Sequence, residues 1–100
     1  MTTAAAVNDF MSQPALAIVG ASRSPNKFGT IVYKDLKSKG YSVFAINPNA
    51  QTIEGDPAYP DLMHLPQEVG GVVLIVPPAQ TERMVRQAAD VGITRVWIQP

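Results

Sequence analysis

The chain has 100 residues, 46% of them apolar and 16% charged, a length that suits one hydrophobic core rather than two. This apolar content excludes a disordered chain and fits a sheet covered on both faces. Eight cations balance eight anions, so a nucleic-acid partner held by bulk electrostatics is excluded, and any phosphate site must be local.

Taken in order, Met1 to Ala6 is expected to be loose, and Val7, Phe10 and Met11 then recur at helical spacing before Pro14. Ala15 to Val19 is a continuous apolar run closed by Gly20, the pattern of a buried parallel strand. A polar turn, Gly20 to Lys27, leads into a helix from Phe28 to Lys39 with Phe28, Ile31, Val32 and Leu36 on its apolar stripe and Gly40 at its stop. Tyr41 to Ile46 forms a second strand, broken by Asn47-Pro48. Asn49 to Pro57 reads as loop, Ala58-Tyr59 as a short third strand at the sheet edge, and Asp61 as the cap of one helical turn through Leu65. Gly70-Gly71 opens a fourth strand, Val72 to Val76. Pro77-Pro78 ends it and starts a helix that runs from about Ala79 to Val91 with Met84, Val85 and Ala88 inward, and Gly92 stops that helix. Val96 to Ile98 is a fifth strand with Trp97 in the core, and the sequence closes at Gln99-Pro100 with no helix to cover that strand, which reads as a truncated carboxyl terminus.

This alternation predicts a doubly wound α/β domain, its parallel sheet in the order 3-2-1-4-5 with helices on both faces, because βαβ crossovers are right-handed. In such sheets ligands bind beyond the carboxyl ends of the strands, where the strand order reverses. Gly20 to Lys27, Asn47-Pro48, Pro77-Pro78 and Gln99-Pro100 all lie at those ends. Gly20 permits a sharp exit from the first strand, Ser22 offers a hydroxyl, and Arg23 and Lys27 supply charge. The free N–H groups from Phe28 to Thr30 add the partial positive charge of a helix start, and together these groups suit a diphosphate. Asn47-Pro48 and Val76-Pro77-Pro78 form rigid walls suited to an adenine face or a pantetheine arm, although prolines there also serve simply to end strands.

Other chemistries find little support. The loop is not a G-x-G-x-x-G fingerprint, since Ser22 stands at its second glycine, and Asn47 follows the second strand where an NAD site carries an acidic residue. The lack of cysteine removes disulfides, thiolate catalysis and thiolate metal sites, and no metal-ligand cluster stands out. His64, the sole histidine, has no obvious partner, so no nucleophile with a neighbouring base can be named. The longest apolar run, Val72 to Val76, is far too short for a bilayer, and Met1 to Ala6 lacks the basic residue of a signal peptide; a cytoplasmic protein without membrane attachment is expected.

The segments Ala17 to Gly29 (AIVGASRSPNKFG), Ile46-Asn-Pro48, Val76-Pro-Pro78 and Trp97-Ile-Gln-Pro100, in this order and spacing, resemble the CoA-binding domain family. That family includes the amino-terminal domain of the succinyl-CoA synthetase α subunit, part of the NDP-forming acyl-CoA synthetases, and stand-alone proteins, to which the chain is most similar. The resemblance implies a Rossmann-like fold that binds coenzyme A or an acyl-CoA. Gly20, Ala21, Ser22, Arg23, Lys27, Phe28 and Gly29 would follow the phosphates and pantetheine, Asn47 and Pro48 would lie beside them, and Val76, Pro77 and Pro78 near the adenine. Ligase members phosphorylate a histidine in a later domain, which has no counterpart here. They also carry a lysine near the start of the second strand where this chain has Tyr41, with Lys37 and Lys39 the nearest cations. The expectation is a non-catalytic CoA-binding module, with an NAD(H)- or nucleotide-sensing domain acting on a protein partner as the alternative, and self-association left open.

Overall fold

The computed structural model describes residues 4–99. Its elements are α1 (Ala4–Met11), β1 (Ala15–Val19), α2 (Phe28–Ser38), β2 (Ser42–Ile46), β3 (Thr52–Ile53), β4 (Asp56–Tyr59), a 3-10 helix (Leu62–His64), β5 (Gly71–Leu74), α3 (Pro78–Asp90) and β6 (Val96–Ile98). The strands form one sheet in the order β3-β4-β2-β1-β5-β6, parallel throughout except for the β3–β4 hairpin. The five parallel strands stand in the expected order, and β3 is an addition at the edge.

Alternation along β1 builds two cores. Leu16 and Ile18 point to the side of α1 and α2, where they meet Phe10, Tyr33, Leu36 and Val73; Ala17 and Val19 point to the side of α3, with Leu74, Met84, Ala88 and the 3-10 helix residue Leu62. Every residue of β1 and of β5 is buried, as expected of central parallel strands. Among the described residues no helix is long and apolar enough to cross a membrane.

Three expectations are corrected. Ala4–Ala6 belong to α1 rather than to a loose terminus; residues 1–3 lie outside the described residues. Helix α1 is held by Phe10, whose ring stacks at a tilt 5.8 Å from Trp97 and rests on Gly71, and by Asp9, which pairs with Arg95 at 2.6 Å. The stretch from Asn49 to Pro57 is not all loop: Glu54 and Gly55 both take positive φ, 52° and 81°, the turn that lets β3 fold back on β4. Glu-Gly is a weak form of that signal, because only the glycine adopts the conformation without strain. Finally, α2 is rotated from its expected stripe. Its buried face is Gly29, Thr30, Tyr33 and Leu36, whereas Phe28 and Ile31 are 53% and 47% exposed.

The cause of that rotation is a close backbone contact. A Cβ on Gly29 would stand 2.2 Å from the Gly20 carbonyl oxygen, so α2 approaches the end of β1 through its one residue without a side chain. Gly29, Tyr33 and Leu36 then share a face by helical periodicity, and the Tyr33 hydroxyl, brought inward, donates to Asp56 at 2.7 Å. Lys37 bonds the same carboxylate and ties the hairpin to α2.

Candidate ligand-binding site

The parallel strands place Val19, Ile46, Leu74 and Ile98 at one edge of the sheet, and the loops that follow them meet there. Strand order reverses about β1, with β2 on one side and β5 on the other. Gly20 leaves β1 with φ 120°, and a Cβ there would lie 2.1 Å from the Ile75 carbonyl oxygen. The exit from β1 is therefore pressed against the exit from β5, and only glycine meets both the conformation and the space.

Thr30 holds Ser22, two residues beyond Gly20. It is wholly buried, and its hydroxyl accepts from the Ser22 N–H and donates to the Ser22 carbonyl, each at 2.9 Å. Ser22 Oγ in turn accepts from the Ser24 N–H at 3.1 Å, which turns the loop back toward α2. Asn47 closes the other side. Its Nδ2 donates to the Ala21 carbonyl at 3.1 Å and its Oδ1 accepts from the Asn49 N–H at 2.8 Å. Ala21 is buried and contributes backbone, not side chain, to this arrangement.

The structure thus brings Gly20, Ala21, Ser22, Gly29 and Asn47 together, the two glycines by close backbone contact, Asn47 by its bond to Ala21, and Ser22 by its bonds to Thr30. The sequence singled out Thr30 only for its backbone N–H, not for its side chain. Its hydroxyl sits in the first helical turn, where short polar side chains bond nearby loop backbone, but the partner's identity needed the folded loop. Pro48 follows Asn47 on the exposed side, and Pro77 and Pro78 form the start of α3, Pro77 as its cap. Val76 is half-buried and packs into the core on the α3 side.

Lys27 precedes α2 with an extended backbone and no side-chain cap, so the first N–H groups of the helix keep their donors and their partial positive charge. Of the eight cations among the described residues, five are engaged: Lys34 with Glu54, Lys37 with Asp56, Lys39 with Asp35, Arg86 with Glu82 and Arg95 with Asp9. Arg23, Lys27 and Arg83 have no such partner, and the first two belong to this loop. Lys37 and Lys39 cannot substitute for a lysine at Tyr41. They stand at the end of α2 away from Lys27 and are already paired, and the Tyr41 hydroxyl donates to the Met11 carbonyl. His64 does have a partner: its Nδ1 lies 2.6 Å from Asp61, whose carboxylate also caps the 3-10 helix through the N–H groups of Met63 and His64. Among the described residues no three His, Cys, Asp or Glu side chains cluster as metal ligands.

A Rossmann-like sheet with a glycine-lined exit loop and an uncapped helix start at the strand-order reversal places this chain in the class of doubly wound α/β domains, in which ligands bind at that edge. Residues 15–100 match the family described as a CoA binding domain, and the chain belongs to that family. It is 29% identical over 90 residues to the α subunit of the ADP-forming acetate–CoA ligase II of Pyrococcus furiosus, covering 89% of this chain and 20% of that subunit. The chain therefore spans about a fifth of that relative's length. Among solved structures it is similar to a conserved hypothetical protein of Pyrococcus furiosus, with 41% identity, TM-score 0.81, and coverage of 86% of this chain and 74% of that one. A hypothetical protein of Pyrococcus horikoshii gives 32% identity and TM-score 0.89 over 97% of this chain and 68% of the other.

Proposed function

We propose that this chain is a cytoplasmic module that binds coenzyme A or an acyl-CoA at the carboxyl edge of its sheet and has no catalytic activity of its own. The observation that carries this reading is the pair of unpaired cations, Arg23 and Lys27, beside the uncapped start of α2, in a chain whose other cations are nearly all engaged. Membership of the CoA binding domain family supports the choice of CoA among phosphate ligands. In this reading the Ser22 loop and the α2 N–H groups hold the diphosphate. Asn47, Pro48, Val76, Pro77 and Pro78 flank the adenosine and the pantetheine arm.

Asn47 also weighs against NAD. Both ends of its amide are bonded within the protein, so it has little capacity left to grip a ribose diol as a carboxylate does. CoA bears a phosphate on that ribose, which a carboxylate would repel. Thermal-shift measurements test the reading. A ligand at about 100 times its dissociation constant stabilises the fold by about 2.7 kcal/mol. CoA should give a clear shift, dephospho-CoA a smaller one, and NAD or NADH little. A larger shift with NADH than with CoA at equal concentration overturns the assignment.

A further inference from the structure

Between α1 and α2, over β5 and β6, lies an open groove of about 140 Å³. Phe10, Leu36 and Val73 form its floor and Met11, Phe28, Val32, Ile75 and Trp97 its walls; Gln99 is its one polar residue. This space is distinct from the phosphate loop but opens beside it. Phe28 adjoins Gly29, and Ile75 is the residue whose carbonyl abuts Gly20.

We propose that this groove receives the acyl chain of an acyl-CoA, so that the module distinguishes a short or medium acyl thioester from free CoA. The inference rests on the reading that CoA binds at the adjoining loop. Three features support it. Apart from Gln99, the lining is wholly apolar and suits a hydrocarbon chain. The volume is close to that of a cavity of about 150 Å³ that takes up benzene, which corresponds to an acyl chain of roughly six carbons. And Gln99 at the rim has its Oε1 facing Trp97 Nε1 at 3.4 Å, while its Nε2 has no hydrogen-bond partner among the described residues and can donate to a thioester carbonyl. Phe28, 53% exposed in a chain with ample polar surface, gains cover from such a ligand.

Calorimetric titration with CoA and with hexanoyl-CoA tests the proposal, on the unaltered chain and on Val32→Glu, with circular dichroism to check the fold. Because each buried methylene favours binding by about fourfold, a partly covered hexanoyl chain should bind about tenfold more tightly than CoA. Val32→Glu should abolish that advantage and leave CoA affinity within about twofold of the unaltered chain; Met11→Glu, on the opposite wall, serves the same purpose if the first variant does not fold. Equal affinity for the two ligands overturns the acyl groove and leaves the CoA reading intact. The same conclusion holds if sedimentation shows a dimer that Val32→Glu converts to monomer without any acyl preference, since a second copy then fills the groove. Failure of both ligands to bind removes the CoA reading and the groove together.

Discussion

Gly29 and Gly20 meet backbone to backbone: a Cβ on Gly29 would lie 2.2 Å from the Gly20 carbonyl oxygen and 2.9 Å from the Ala21 nitrogen. These atoms belong to the first turn of α2 and the exit from β1, and neither is a flexible side chain that could yield. Gly29→Ala must push α2 away from the sheet. The expected cost is about 1–3 kcal/mol, as for an overpacked core, together with a marked loss of CoA binding because the helix start retreats from the loop. Urea denaturation and CoA titration of the same variant check both, and normal stability with normal binding would show that the helix can shift freely.

Thr30 offers a more selective probe of the same loop. Thr30→Val conserves shape but leaves the Ser22 N–H and carbonyl without their buried partner. It should cost about 1–3 kcal/mol of stability and weaken CoA binding, whereas Thr30→Ser should keep both near the original. Equal effects of valine and serine would mean that the methyl group, not the hydroxyl, is what matters.

Lys27 is expected to contact phosphate. A charge-assisted bond is worth about 1.5–3 kcal/mol, so Lys27→Glu should weaken CoA binding at least about tenfold with the fold unchanged by circular dichroism. Binding should also weaken as salt is raised. An unchanged dissociation constant would make Lys27 a solvated side chain.

The Tyr33–Asp56 bond links stability to pH at both extremes. Asp56 is held below the usual carboxylate range by Lys37 and then by Tyr33, so its contribution is present above about pH 4 and is lost as pH falls through its folded value. Tyr33 is raised well above the usual phenol range, first by burial and then by its bond to Asp56. Its contribution is complete below about pH 10 and is lost as pH rises toward the folded value. Tyr33→Phe should therefore flatten both the acid and the alkaline limbs of a urea-midpoint profile, and Asp56→Asn chiefly the acid limb. Limbs identical to those of the unaltered chain would assign the pH dependence to other groups.

The repeated pattern of apolar run, turn and amphipathic helix was enough to predict the parallel order of the five long-range strands, because a right-handed crossover leaves little choice of topology. The loops at the strand ends were legible for the same reason. Gly20, Ser22 and Asn47 stand directly after apolar runs, and parallel strands bring those ends together.

Which face of α2 turned inward was not legible. Hydrophobicity favoured Phe28 and Ile31, but a contact between two glycines set the rotation and left those side chains in solvent. Thr30 became central only through its bonds to a residue eight positions earlier, His64 acquired a partner only when Asp61 capped its turn, and β3 formed where two positive φ values fell together. The cation count shows the same division. The sequence by itself determined a neutral chain of eight cations and eight anions, a layered α/β order, and a polar turn at each strand end. Beyond the i,i+4 helix pairs Lys39–Asp35 and Arg86–Glu82, only the tertiary structure decided which charges cancel one another. Lys34–Glu54, Lys37–Asp56 and Arg95–Asp9 depend on distances of a few ångströms between remote segments, and none of these pairs takes up Arg23 or Lys27 in the loop before α2.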